Sequence, residues 1–431
     1  MIRISETNIA SVAVENEWNF GSERELAMHT IHAYPAKFPA FIAQKAFEYA
    51  TAEGVNVRSA ADVFCGCGTE ALEAKLHNVS FWGCDINPVA TLIATTKSES
   101  YDRIKLSEYF SEVETLFSDG AFDGCAYEDA NHRLQYWYTE NAYSTLYRLK
   151  LAISEVNMES KYKDAFLCLF SSVLKATSKW LTKSIKPQVD PNKHEVDAWA
   201  AFSAQYKKFM RAVEQVNACP LNDIDISITN GNFIDIDELP QVDMIISSPP
   251  YVTSYEYADL HQLSTLWLDY AEDYKTLRNG SIGSAYNSEG YQVDFSGLNT
   301  VGQAIVRALI EENGIKTNAK VRAVARYYAD MQLAIQQCAK MVKNGGMVFF
   351  VVGDTEYKGV KIRNSEHLIQ SLRDENFSDI KATKRRISNK LCTPYRDADG
   401  KFSSDKSKRT IYHEEFIISA RLWSSASSQK A

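Results

Sequence analysis

Residues 61–69, Ala-Asp-Val-Phe-Cys-Gly-Cys-Gly-Thr, constrain the fold more than any other stretch of this chain. The spacing predicts a short apolar strand over 61–65 that breaks into a turn holding Gly66 and Gly68. A helix over 69–77 follows. A second strand over 80–84 ends at Asp85, and Pro88 opens another helix, where its missing N–H is harmless. Strand–helix–strand–helix is the opening of a parallel sheet covered by helices, so the fold class is α/β.

The pattern resumes near residue 226. Ile226–Asn230 reads as a strand with Gly231 and Asn232 at its end. Val242–Ser247 reads as the next, ending at Ser248-Pro249-Pro250-Tyr251. Val324, Tyr328, Met331, Ile335, Cys338 and Val342 recur at spacings of four and three, one face of an amphipathic helix. Asn344-Gly345-Gly346 should stop that helix and deliver the chain into a buried strand over 347–352. A last strand is expected over 415–420. Two insertions interrupt this sheet: 100–225, rich in helix formers and aromatics, and 252–320, aromatic with Gly280, Gly283, Gly290 and Gly297. The chain therefore divides into core segments 1–99, 226–251 and 321–431 around these insertions. In open parallel sheets ligands sit at the carboxyl ends of the strands. The informative turns all lie on that edge, and insertions leaving it are placed to wall a cleft.

Composition narrows the class. The 431 residues are 45% hydrophobic and 24% charged, ample for a globular core. No stretch approaches the roughly 18 uninterrupted apolar residues of a membrane span. No basic-then-apolar leader opens the sequence, and the eight cysteines form no Cys-x-x-Cys pair. Structural thiols, no metal and a reducing cytoplasm are the expectation. Net charge is −8, yet residues 381–410 carry ten Lys/Arg against three Asp/Glu, and 172–211 eight against three. Such runs are ordinarily solvated faces, but a nucleic-acid ligand would give them work.

Three turns carry chemistry. Glycines in the 62–69 turn let backbone approach a ligand, and a helix N-terminus presents free N–H groups to a carboxylate. The turn lacks the third glycine of a dinucleotide fingerprint and the Gly-Lys-Ser/Thr of a phosphate loop. Asp85, ending the next strand, can accept both ribose hydroxyls of an adenosine-type ligand. Ser248-Pro249-Pro250-Tyr251 is the sharpest signal. Two prolines end a strand in a rigid turn whose carbonyls can aim at a donor, and Tyr251 offers a flat face for a base.

Together these motifs resemble the S-adenosylmethionine-dependent amino-methyltransferases, which methylate exocyclic amino groups of DNA bases. Phe64-Cys65-Gly66-Cys67-Gly68 is similar to the family's first cofactor motif, and Asp85-Ile86-Asn87-Pro88 to its acidic ribose motif. Asn230-Gly231-Asn232-Phe233 resembles the adenine loop, with Asn232 where an acidic residue is more usual. Ser248-Pro249-Pro250-Tyr251 resembles the catalytic motif. His32-Ala33-Tyr34-Pro35-Ala36-Lys37-Phe38-Pro39 is similar to the segment that closes over the methionine end of the cofactor. The cofactor motifs precede the catalytic one, unlike the order most often seen with Ser-Pro-Pro-Tyr. The implied core covers about 60% of the chain, and the insertions carry no motif that can be assigned to a family.

The resemblance implies a Rossmann-like class I methyltransferase sheet with a largely helical insertion and a second smaller one. It implies S-adenosylmethionine bound by Tyr34, Pro35, Lys37, Phe38, Asp62, Phe64, Cys65, Gly66, Gly68, Thr69, Asp85, Ile86, Asn87, Asn232 and Phe233. Catalysis would fall to Ser248, Pro249, Pro250 and Tyr251. Lys384, Arg385, Arg386 and Lys390 are candidates for contact with duplex phosphates, and either insertion for target recognition or a cleft wall. Asp243 reads as a strand-start residue, His29 and His32 as satisfied histidines, and Trp267 as core. A serine in the first motif position favours the N4 of cytosine over the N6 of adenine. C5-cytosine chemistry is excluded, since no Pro-Cys pair exists. An RNA amino-methyltransferase and an inactive nucleic-acid-binding protein are the rival readings. The family-level expectation is a bacterial modification enzyme in a restriction-modification system. A cognate restriction endonuclease, and monomer against homodimer, stay open.

Overall fold

The computed structural model describes residues 1–4, 9–19, 24–119, 127–252, 256–312, 316–357, 359–387, 405 and 414–423. Ten strands appear among them: β1 Ile2–Arg3, β2 Ser59–Asp62, β3 Ser80–Asp85, β4 Ile226–Asn230, β5 Val242–Ser247, β6 Val342–Val352, β7 Thr355–Tyr357, β8 Val360–Ile362, β9 Phe377–Arg386 and β10 Glu414–Leu422. Eight form one sheet in the order β1-β9-β10-β6-β5-β2-β3-β4, and β7 with β8 makes a separate hairpin. The run β6-β5-β2-β3-β4 is parallel. Strand β10 enters antiparallel between β6 and β9. This is the Rossmann-like α/β sheet expected from the motifs.

Alternation along the central strands explains the layers. Ala60, Met244, Ile246, Phe349, Val351 and Ile417 face a core under helix α1 (Ala40–Ala52) and helix α2 (Thr69–Leu76). Ala61, Ile245, Val348, Phe350, Val352 and Ile418 face the other way, where Ile335, Cys338 and Leu368 complete a second core. A third helix, α3 (Pro88–Ser98), follows β3, with Asn87 capping its first turn through a bond from the Val89 N–H.

Within 100–225 five helices pack on one another: α4 (Arg103–Ser118), α5 (His132–Trp137), α6 (Glu140–Glu155), α7 (Ser160–Thr177) and α8 (Ala198–Asn217). Their shared apolar cluster also takes in Leu263, Leu266 and the buried Trp267. These come from the second insertion, which holds α9 (Tyr257–Leu260), α10 (Gln262–Trp267) and α11 (Thr300–Glu312). Buried Gln262 ties the two, its side-chain oxygen accepting from Arg133 Nε at 2.6 Å and Trp137 Nε1 at 3.0 Å. The remaining α-helices among the described residues are α12 (Ala319–Met341) and α13 (Asn364–Asp374).

Three expectations need correction. Strand β2 ends at Asp62, three residues early, because the Asp62 carboxylate accepts the Phe64 N–H at 3.0 Å and turns the backbone out of the ladder. Asn344-Gly345-Gly346 does not cap α12. The helix ends at Met341 and β6 starts at once, with the pairing to β5 slipping between Val242↔Val342 and Met244↔Met347. Gly345 adopts φ +79° in that bulge, and a Cβ on Gly346 would lie 2.8 Å from the Asp243 carbonyl. Finally, the basic run that opens at Lys381 begins inside a strand, β9, which sequence patterning did not reveal.

Candidate active site

The strand order sets where a ligand can sit. From β2 the chain steps outward to β3 and β4, then returns to β5 on the other side of β2. The turns after β2 and β5 therefore flank the topological switch point, where doubly wound sheets bind ligands. Ser247 at the end of β5 donates its hydroxyl to the Asp62 carboxylate at 2.5 Å, pinning the two strand ends together.

On the β2–β3–β4 side the predicted cofactor residues converge. The Gly66 N–H donates to Asp85 Oδ2 at 2.9 Å, and the Asn87 N–H to Oδ1 at 2.8 Å. The Gly231 N–H and the Asn230 side chain both donate to the Asp85 carbonyl, at 3.0 and 2.9 Å. Burial pushes the Asp85 carboxyl up to about 6, against the pull of those two backbone N–H groups. Asn232 donates to Asp235 at 2.7 Å. The ring of Tyr34 lies over the turn: a Cβ on Gly66 would be 3.4 Å from Tyr34 Cε1. Tyr34 itself stacks on Tyr257 and His261, with ring centroids 6.1 and 5.0 Å away.

The glycines divide the work differently from expectation. Gly68 caps α2 at φ +71°, and a Cβ there would sit 2.6 Å from both Cα and Cβ of Ala94. Its bare Cα allows the close approach of α2 to α3, while Gly66 is the position between the Tyr34 ring and the Asp85 carboxylate. Phe64, Phe233 and Trp82 pack ring to ring, with Phe233 buried, so Phe233 is a wall rather than a polar contact. Phe38 is buried with Ile42 and Phe47 under α1. Lys37 is held by Glu25 at 2.6 Å. Cys65 is a buried thiol, pushed well above its ordinary range by burial. All six described cysteines are free.

Several buried groups lack partners. Thr69 Oγ1 and Asn87 Nδ2 have none among the described residues, and both border the turns around Gly68 and Asp85. Orphan polar groups beside the Asp85 carboxylate fit a ligand that brings hydroxyl and carboxylate oxygens. Behind the turn, Asp62 and Glu70 form a buried acid pair. Desolvation raises both, Asp62 to about 7, so the pair retains a proton near neutrality.

On the β5 side, Ser248 donates its hydroxyl to the Val351 carbonyl of β6 at 3.1 Å, which leaves the oxygen lone pairs as acceptors. Pro249 is buried and, with Tyr327 and Met331 of α12 and Asn364 and His367 of α13, lines a small cavity of about 10 Å³. Tyr251 is half-buried, its phenol donating to Glu415 Oε1 at 2.7 Å. The second insertion reaches into this space. A Cβ on Gly283 would lie 3.1 Å from the Tyr251 carbonyl, and one on Gly280 3.1 Å from Ile86 and 3.7 Å from the Asn232 amide. One tight turn thus spans both halves of the site.

Outside the site, Asp243 accepts from the Arg58 and Ser59 N–H groups and pairs with Lys343, a strand-start anchor. His29 is buried against Glu73 at 2.6 Å, and His32 bonds Ser171 at 2.9 Å, its ring pushed down to about 4 by burial. The basic candidates scatter. Arg385 is buried and committed to Glu415, Lys384 pairs with Glu414, Arg386 is exposed, and Lys390 lies outside the described residues. In the first insertion, Lys175 and Lys193 are stitched into the 178–193 loop, whereas Lys183, Lys186, Lys207 and Arg211 are exposed. Sequence reasoning missed Glu415, the Tyr34 stack and the Gly280–Gly283 turn; only the glycines left a signal, as unexplained turn residues.

No family model matches the chain. It is similar to Type II methyltransferase M.MvaI of Kocuria varians, 24% identical over 388 residues, which cover 84% of each protein. It is also similar to Type II methyltransferase M.AvaI of a Nostoc strain, 26% identical over 132 residues, 28% of this chain and 27% of that one. A solved rRNA methyltransferase of Streptomyces viridochromogenes aligns with 91% of this chain and 89% of its own at 10% identity, with a TM-score of 0.30.

Proposed function

We propose that this chain is a DNA methyltransferase that transfers a methyl group from S-adenosylmethionine to an exocyclic amino group, the N4 of cytosine. The observation that carries the reading is the pairing, across one switch point, of an acceptor set for a nucleoside with a serine–tyrosine turn built to receive a base. The similarity to a type II methyltransferase along most of both chains supports it.

The cofactor would be held by Asp85 at its ribose, by Ile86, Asn232 and Phe233 around its adenine, and by the Gly66–Thr69 turn under Tyr34 at its methionine end. When bound it supplies an electrophilic methyl group on a sulfonium. A duplex hides the target amino group, so the base must swing out at a cost of a few kcal/mol. Tyr251 offsets part of this by stacking, about 1–3 kcal/mol per base. The amino nitrogen is a poor nucleophile because its lone pair is delocalised into the ring. Ser248 Oγ, its own proton spent on Val351, and the Pro249 carbonyl accept the two amino hydrogens and draw the nitrogen toward tetrahedral geometry. The proton leaves late, from a nitrogen already cationic and strongly acidic, and passes to water, so no strong base is needed. Orientation and prefixed polar groups supply the rate.

Duplex DNA is the proposed partner, with Arg386 and the exposed lysines of the first insertion available to its backbone. The test is nucleoside mass spectrometry of unmethylated DNA incubated with protein and labelled cofactor. N4-methylcytosine is the expected product. N6-methyladenine would keep the chemistry and change the base; label in RNA alone, or none, would overturn the reading.

A further inference from the structure

Tyr251 is gripped at its far end by residues far downstream in the chain. Its phenol donates to Glu415 Oε1 at 2.7 Å across a sequence separation of 164. The other oxygen, Glu415 Oε2, accepts from Arg385 Nε at 2.9 Å and pairs with Nη2 at 2.8 Å. Glu415 and Arg385 are register partners on β10 and β9. Their side chains are only 13% and 7% exposed, so the pair sits inside the sheet edge rather than on a solvated face. Beneath the ring, a Cβ on Gly353 would stand 3.3 Å from Tyr251 Cζ and Oη, so bare backbone forms the floor. Burial and the Glu415 charge hold the phenol well above its ordinary range, so it remains a donor at any working pH.

A tyrosine stacks through its π face, and a buried phenol usually finds a hydrogen-bond partner that limits its tilt. Here that partner is a carboxylate held at both ends: one oxygen takes the phenol and the other takes two N–H groups of a single guanidinium, charge-assisted contacts stronger than neutral ones. We infer that Glu415, braced by Arg385, is a positioning residue that fixes the plane of the Tyr251 ring against the flipped base. The inference rests on the function proposed above and assigns the buried arginine of the basic run to the site instead of to phosphate.

The test uses Tyr251→Phe, Glu415→Gln and the double variant of the full chain, with unmethylated phage DNA and tritiated S-adenosylmethionine. Tyr251→Phe cuts the link while leaving the ion pair whole, so it can be interpreted even where Glu415→Gln folds poorly. Each single change should lower kcat roughly tenfold, the scale of a lost hydrogen bond to a charged group. KM for DNA and cofactor affinity by calorimetry should stay within about threefold, because ground-state binding is untouched. The double variant should be no slower than the slower single. Full kcat in Tyr251→Phe, or losses that multiply in the double variant, would overturn the clamp. A wild-type protein that methylates no DNA would instead sink the function. The clamp is then read from melting temperatures of the same four proteins, where non-additive losses uphold it and additive losses refute it.

Discussion

Gly68→Ala separates two explanations of the same glycine. If Gly68 serves ligand approach, alanine should spare the fold and weaken the cofactor. The structure argues the reverse. At φ +71° an L-residue incurs about 1–2 kcal/mol of backbone cost. The new methyl would also stand 2.6 Å from two atoms of Ala94, one of them backbone. Restoring ordinary contact near 3.6 Å requires α2 and α3 to part by about 1 Å, and overpacking of that kind costs about 1–3 kcal/mol. The sum, about 2–5 kcal/mol, is a large share of a typical folding free energy. Gly66→Ala is the control: at φ +47° it carries the backbone cost alone, since its methyl meets Tyr34 at an ordinary 3.4 Å. Urea unfolding of both variants, with cofactor calorimetry alongside, is the assay. Gly68→Ala should lose at least about 1 kcal/mol more stability than Gly66→Ala, while Gly66→Ala loses more cofactor affinity per unit of stability. Equal stabilities would show that the α2–α3 contact relaxes freely and that the division of labour between the glycines is mistaken.

Other outcomes follow from the same geometry. In the mechanism proposed above Ser248→Ala removes an acceptor used in the transition state, so kcat should fall about a hundredfold with little change in KM; a KM-only effect would remove Ser248 from the chemistry. Cofactor affinity should hold steady above pH 6 and fall below it as the Asp85 carboxyl, raised to about 6, takes a proton and loses acceptor capacity. Calorimetry at pH 5 and 7.5 reads this, and Asp85→Asn should flatten the difference. Asp62 is raised from 3.8 to about 7 by burial, so its ionisation opposes folding: the stability it lends is full below pH 3.8 and is lost as pH climbs through 7. Asp62→Asn should therefore gain stability relative to wild type as pH rises from 5 to 8 in urea titrations. A constant difference across that range would mean that the Asp62–Glu70 pair holds no proton.

How much of this was legible in the sequence depends on the range over which the cause acts. β4 and β5 begin and end where apolar alternation and turn residues say they should. β2 ends early for a reason also local, the Asp62 carboxylate bonding its own backbone two residues on, but apolar patterning does not see side-chain capping. The Gly345-Gly346 pair misled because glycines at a helix stop and glycines in a strand bulge look alike. The distinction comes from the Asp243 carbonyl on a neighbouring strand about a hundred residues away in sequence. β9 escaped notice because Lys381, Lys384, Arg385 and Arg386 make it look like a solvated run, although Ile380, Ala382 and Arg385 all face inward.

The site obeys the same rule. Each predicted turn is a local motif, and each is found at the carboxyl edge of the sheet, because a strand that ends in glycine or proline must release its chain there. What brings the turns into one site is non-local: the return of β5 beside β2, the Ser247–Asp62 bond that joins them, and the Gly280–Gly283 turn that touches both. Glu415 shows the limit most clearly. Nothing around it marks a functional residue, since a carboxylate at a strand start is commonplace, and Arg385 taken alone is one basic residue among ten. Only strand pairing sets them opposite each other, and only the sheet order β10-β6-β5 brings that pair across to the turn that carries Tyr251. Residues that touch a ligand can be written in a motif, because the ligand imposes their spacing. Residues that hold those residues still answer to the fold, and their spacing in the chain is arbitrary.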